Sequence, residues 1–179
     1  MKGIVFNLLE EAVSTEFGDA TWDRLLDDAG LDGAYTSLGS YDDAEIFRLV
    51  GVASAALGMP EQDVLRWFGR RAMPLLAKRY PAFFAGHPNT RSFLLTLNNM
   101  IHPEVRKLYP GASPPVFDFD TADSEQLVIG YNSARRLCAL AEGFMQGAAE
   151  HFQEQAAITQ SQCMHAGDDK CSFHVRFPK

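Results

Sequence analysis

Tyr131-Asn132-Ser133-Ala134-Arg135, placed directly after the apolar run Leu127-Val128-Ile129, brings three hydrogen-bond donors to alternate positions. On extended chain such positions share a face, so two hydroxyls and a forked guanidinium are expected to converge on one spot. That set suits a ligand with more than one carboxylate or phosphate. The same spacing also describes an ordinary solvated strand end, and these five residues alone do not decide between the two.

A second candidate is His102, in Leu97-Asn98-Asn99-Met100-Ile101-His102-Pro103. It continues the apolar face of Leu94, Leu97 and Ile101, which points it inward. Pro103 cannot donate to a helical ladder and disfavours helix at the residue before it, so the backbone is expected to leave regular helix at His102. A lone imidazole on an apolar face is either a satisfied core residue or an axial donor to a metal such as the iron of a haem.

The third group is Cys138, Cys163 and Cys171, an odd number of thiols. The first residues, Ile4, Val5, Phe6, Leu8 and Leu9, are interrupted by Glu10 and Glu11, too short a run for a signal-peptide core, and a cytoplasmic location is expected. Reduced thiols or a metal site therefore fit better than a disulfide framework. Three thiolates suit a tetrahedral zinc site lacking one ligand, and His165, two residues beyond Cys163, is the candidate fourth. Free redox-responsive thiols and inert buried thiols are the alternatives.

The elements that must position these groups follow from periodicity. Ile4, Val5, Leu8, Leu9 and Ala12 form a stripe at helical spacing, as do Trp22, Leu25, Leu26 and Ala29, then Ile46, Val50, Ala53 and Leu57. Ser40 is the expected N-cap of the third helix and Pro60 opens a fourth, carrying Val64, Leu65, Phe68 and Ala72, which Pro74 should kink or end. A further helix begins near Asn89 or Thr90. Beyond Pro110 the period changes: Val116 to Phe119 and Leu127 to Tyr131 read as one hairpin, Ala139 to Phe152 as a long helix, and Ala157 to Cys163 with Cys171 to Phe177 as a second hairpin. Gly143 and Gly147 on the long helix permit a close internal neighbour.

The expected fold is α+β. One domain spans 1–179, with a helical subregion over about 1–60 and a second over about 61–179, containing a four-stranded antiparallel sheet and a long helix. A formal charge of −7 gives no basic field for nucleic acid or an anionic membrane surface. No apolar run approaches the roughly 20 residues of a bilayer span. Phosphate-binding loops, a nucleophile elbow and His-Glu-x-x-His are absent, so no catalytic apparatus is indicated.

His102, Pro115 and Tyr131-x-Ser133-x-Arg135, in this order and spacing, together resemble the haem nitric oxide/oxygen binding (H-NOX) family, which includes the haem sensor region of soluble guanylate cyclase. The resemblance extends over the whole chain. It implies haem b buried between the subregions, His102 as proximal iron ligand, Tyr131, Ser133 and Arg135 on the two propionates, and Pro115 against the porphyrin. By the same resemblance Val5, Leu9, Met73, Leu140 and Phe144 wall the distal pocket. Leu140 stands where oxygen-holding members carry a tyrosine. Bound oxygen acquires partial negative charge and needs a donor, whereas nitric oxide and carbon monoxide do not, so the implied protein is a nitric oxide sensor that excludes oxygen. The partner implied is a sensor histidine kinase or a cyclic-di-GMP synthase or phosphodiesterase. Some family members hold zinc with a histidine three residues before the first hairpin cysteine, where this chain has Gln160. A small-ligand or zinc-binding regulatory module of the 4-vinyl-reductase type is the alternative, and a haem peroxidase would need a distal His-Arg pair that the implied pocket does not offer.

Overall fold

Apolar residues at helical and alternating spacing become the buried stripes of two adjoining cores in the computed structural model, which describes residues 1–178. The order is α1 (Gly3–Phe17), α2 (Asp19–Ala29), α3 (Asp43–Leu57), α4 (Glu61–Arg79), α5 (Thr90–Leu95) and α6 (His102–Leu108), then β1 (Val116–Asp120), β2 (Gln126–Asn132), α7 (Cys138–His151), β3 (Ala157–Gln162) and β4 (Cys171–Arg176). The strands form one antiparallel sheet in the order β1-β2-β4-β3. This is the α+β architecture with two hairpins and a long helix that the periodicity predicts. No helix among the described residues is long and apolar enough to cross a membrane.

One core joins α1, α2, α3 and the first half of α4, with Leu137, just before α7, and Ala139 and Leu140 from its first turn. The other lies on one face of the sheet, where Leu127, Ile129, Phe173 and Val175 are almost wholly buried and meet Met73, Ala77, Ala141, Met145 and Ala148 from α4 and α7. Helices α4 and α7 thus contribute to both. Alternation along β4 selects Cys171, Phe173 and Val175 for the interior, as a half-buried strand requires.

Two local expectations are corrected. The cap of α3 is Asp42 rather than Ser40: its carboxylate accepts the N–H of Ala44 at 2.9 Å, whereas Ser40 bridges to Lys2 before the helix begins. Pro74 neither ends nor interrupts α4, which runs on to Arg79. Packing against α7 supplies what local propensity withholds. The approach is close enough to require glycine on both sides. A Cβ at Gly69 would lie 2.4 Å from the carbonyl oxygen of Leu140, at Gly143 2.2 Å from that of Arg66, and at Gly147 2.7 Å from that of Arg70. The Gly143 and Gly147 pair is therefore an internal packing device, as its sequence suggests. Arg66 also reaches across to Glu142, Nε to Oε2 2.7 Å.

Because each obstacle at Gly143 is backbone, a methyl group there must push the helices apart. Gly143→Ala is expected to destabilise the fold by about 1–3 kcal/mol, read as a lower urea midpoint at unchanged slope. An unchanged midpoint would show that the contact can yield freely.

Candidate functional site

The interface of the two cores encloses a cavity of about 400 Å³ with a predominantly apolar lining. Of the residues singled out from sequence, His102, Pro115, Tyr131, Ser133, Arg135, Val5, Met73, Leu140 and Phe144 all line it. Leu9 does not. It is buried in the helical core, and Ile4, Val5 and Leu8 present the α1 face to the cavity. Val5 to Leu8 and Val5 to Leu9 both fit helical spacing, so the stripe alone does not fix towards which side the helix is rolled.

His102 opens α6 with ordinary helical dihedrals, φ −65° and ψ −37°. The departure from regular helix comes just before it, in a π-helical turn over Leu97–Ile101, a distortion often found beside functional residues. Asn98 anchors this turn to β1. Its side-chain amide donates to the carbonyl of Phe117, and its Oδ1 accepts the Phe117 N–H at 3.2 Å. The His102 and Phe117 rings stack with centroids 5.7 Å apart. Burial lowers the pKa of His102 from 6.5 to about 4, with Arg106 adding in the same direction and the backbone of Pro115 opposing. The imidazole is therefore neutral at physiological pH, as a metal donor must be, and its Nδ1 is buried without a hydrogen-bond partner.

The polar side of the cavity is a turn. Strand β2 ends at Asn132, the Arg136 N–H donates to the Ser133 carbonyl at 3.0 Å, and Arg136 takes φ +51°. Tyr131, Ser133 and Arg135 thus do not leave one strand face, as strict alternation requires; the turn redirects Ser133 and Arg135, yet all three reach the same wall. Tyr131 is buried and its hydroxyl accepts the Leu137 N–H at 3.0 Å. Arg135 is held from two directions, Nε donating to Asp43 Oδ2 at 2.8 Å and Nη1 to the Ser113 carbonyl at 2.7 Å. Asp43 Oδ1 also accepts from the N-terminal ammonium at 2.5 Å. Partial burial works against ionisation of Asp43, but these two cations outweigh it and hold its carboxyl below the usual range.

Three features of the site are not evident from motif spacing: Asn98 as a clamp, Asp43 as the partner of Arg135, and a hydrogen-bonded pair of hydroxyls from Tyr80 and Tyr109 within the cavity wall. The two Asn residues beside His102 were a signal for the first, since amides in an apolar helix need partners.

The sulfurs of Cys138, Cys163 and Cys171 converge within 4.8 Å of one another. His165 does not join them; its Nε2 lies 2.7 Å from the Arg136 carbonyl oxygen. Gln160 is also committed elsewhere, to the Gln162 carbonyl at 3.0 Å. The described residues therefore do not complete the four-ligand zinc site expected from sequence. Burial drives the Cys138 thiol up to about 12 and raises that of Cys171. At Cys163 burial is outweighed by the backbone N–H of His165 and the neighbouring thiol of Cys138, which lower it.

Residues 2–160 match the Haem-NO-binding family. No curated protein sequence matches. Among solved structures the chain is similar to an H-NOX protein from S. oneidensis in the Fe(II)NO ligation state, with 37% identity, full coverage of both chains and a TM-score of 0.94. It is likewise similar to the Shewanella oneidensis H-NOX domain in the Fe(II)CO state, with 36% identity over 100% of this chain and 99% of that one and a TM-score of 0.91. An unliganded Fe(II) H-NOX protein from K. algicida shows 28% identity over 100% and 97% of the chains and a TM-score of 0.89. With its fold and most of its length accounted for in this way, the chain belongs to the haem-NO-binding, or H-NOX, family, whose fold is that of haem-based gas sensors.

Proposed function

We propose that the cavity holds one haem b and that the chain, acting as a single domain over 1–179, is a nitric oxide sensor that also takes carbon monoxide, excludes oxygen and reports to a separate signalling protein. The observation that carries this reading is the placement of a neutral imidazole and a three-donor turn on the wall of one apolar cavity. The unpartnered buried Nδ1 of His102 fits an imidazole whose surroundings are completed by a bound group.

His102 is the axial donor in this reading, and Tyr131, Ser133 and Arg135 bind the propionates. Two carboxylates taken from water are costly unless met by such donors, and Arg135 is held ready by Asp43 and Ser113. Pro115, on the cavity wall, would pack against a haem held there. Ferrous haem, when bound, supplies an iron open to nitric oxide and carbon monoxide. Val5, Met73, Leu140 and Phe144 offer no hydrogen-bond donor, so a polarised ligand such as oxygen gains nothing from them. The helix carrying His102 is tied through Asn98 to β1, so displacement of the imidazole is shared by α6, the π-helical turn and the sheet edge. A surface altered in that way is the output, and a sensor histidine kinase or a cyclic-di-GMP synthase or phosphodiesterase is the proposed reader.

Three outcomes test this. His102→Gly should lose axial coordination, with the Soret band restored by added imidazole; normal coordination without imidazole overturns the ligand assignment. In air the ferrous protein should form no stable oxygen complex while still binding nitric oxide, as followed by absorption spectroscopy; a long-lived oxygen complex refutes the distal reading. Replacing Tyr131, Ser133 and Arg135 together by Phe, Ala and Gln should speed haem transfer to an apoprotein acceptor by more than about tenfold, the equivalent of one lost charged hydrogen bond. An unchanged transfer rate removes these residues from the propionate role.

A further inference from the structure

Helix α6 runs from one core to the other. Ile101, just before it, is buried in the sheet core, Tyr109, at its C-cap, is buried in the helical core, and Val105 between them packs against both. The Asn98 clamp fixes the near end to β1. At the far end the Tyr109 hydroxyl is hydrogen-bonded to that of Tyr80. Tyr80 caps α4 and, with Met73 and Leu76 at helical spacing, continues the side of that helix that lines the cavity. Beside Tyr109, the Pro110 carbonyl accepts from the Lys2 ammonium at 3.0 Å, and the same ammonium donates to the Leu38 carbonyl at 2.7 Å.

Packing alone does not call for these two hydroxyls. Phenylalanine at both positions would fill nearly the same volume, and a buried hydroxyl is costly unless it is bonded. What the pair adds is direction. Apolar burial leaves a helix free to slide on its neighbours, whereas a hydrogen bond fixes a distance and an angle. Burial raises the pKa of Tyr109 and the Tyr80 hydroxyl raises it further, so the phenol stays neutral and the contact holds at ordinary pH.

We propose that the Tyr80 and Tyr109 hydroxyls form a positioning pair for His102, fastening the far end of α6 to the cavity wall of α4 so that two anchors, and not a bond to metal alone, set the place of the imidazole. The proposal rests on the axial role given to His102 above. A helix of seven residues is roughly 10 Å long and moves nearly as one piece, so a restraint at Tyr109 is felt at His102. With that anchor released, α6 can shift until the imidazole takes its own preferred distance from a bound metal, and the bond between them strengthens. The pair also gives movement of His102 a path to α4, and through the glycine contact to α7, that is separate from Asn98 and the sheet.

The test uses the haem-loaded full chain with Tyr80→Phe, Tyr109→Phe and the double variant. The iron–imidazole stretch of the ferrous protein is read by resonance Raman spectroscopy, and backbone mobility by amide hydrogen exchange. Each single variant should raise the stretching frequency by several wavenumbers and speed exchange at residues 106–109 by about tenfold, the equivalent of one lost hydrogen bond. The double variant should move both no further than either single one, as a shared bond requires. A frequency that is unchanged or lower in both single variants overturns the proposal, even if exchange is faster, because the pair would then support the fold without positioning His102. Shifts that simply add in the double variant overturn it as well. A stretch that survives His102→Gly, or that the unmodified chain lacks, overturns the axial reading itself and the positioning role with it.

Discussion

Everything about the cavity depends on how closely α4 and α7 approach. Gly69, Gly143 and Gly147 let the two backbones come within the distance at which any side chain would collide. That contact sets where Met73 on one helix and Leu140 and Phe144 on the other can stand. Burial of apolar surface is non-directional, so it can collapse the two cores but cannot by itself hold a void between them. A rigid backbone contact beside the void can, because close-packed interiors do not deform gradually. Pro74, which local propensity would place at a break, is tolerated inside α4 for the same reason: the helix is held along its length by a partner.

The polar end of the cavity is organised by a different rule. Arg135 cannot lose its charge, and inside a half-buried turn it must be met by acceptors. Asp43, at the start of α3, and Ser113, in the loop before β1, meet it from opposite sides. The arginine thereby connects the helical part of the chain to the sheet part through a single side chain. An anion arriving in the cavity would compete with Asp43 for the guanidinium, so its charge is felt in α3 as well as in the turn.

Most of the architecture was legible because it rests on periodicity. The helical stripes, the two hairpins and the inward faces of β2 and β4 follow from spacing alone. The candidate residues were legible because donors, an inward imidazole and thiols are rare enough to be noticed. What escaped was set by tertiary geometry. Tyr131, Ser133 and Arg135 share a wall through a turn with Arg136 at positive φ, not through strand alternation. Leu8 rather than Leu9 faces the cavity because the roll of α1 is decided by its neighbours. His165 was a reasonable fourth ligand by proximity in sequence, but the turn over Met164–Ala166 carries it to the Arg136 carbonyl. Asp43 lies 92 positions from Arg135, beyond any local pattern.

The clamp made by Asn98 has a meaning for solubility as well. Strand β1 is an edge of the sheet, and an edge strand offers unpaired N–H and C=O groups to any chain that can extend alongside it. At Phe117 both groups are taken by one side-chain amide, which imitates a neighbouring strand for the length of a single residue. The helical turn that presents His102 is thus also the guard of an otherwise open template. A change large enough to pull that turn away would bare a place where a second polypeptide could add itself to the sheet.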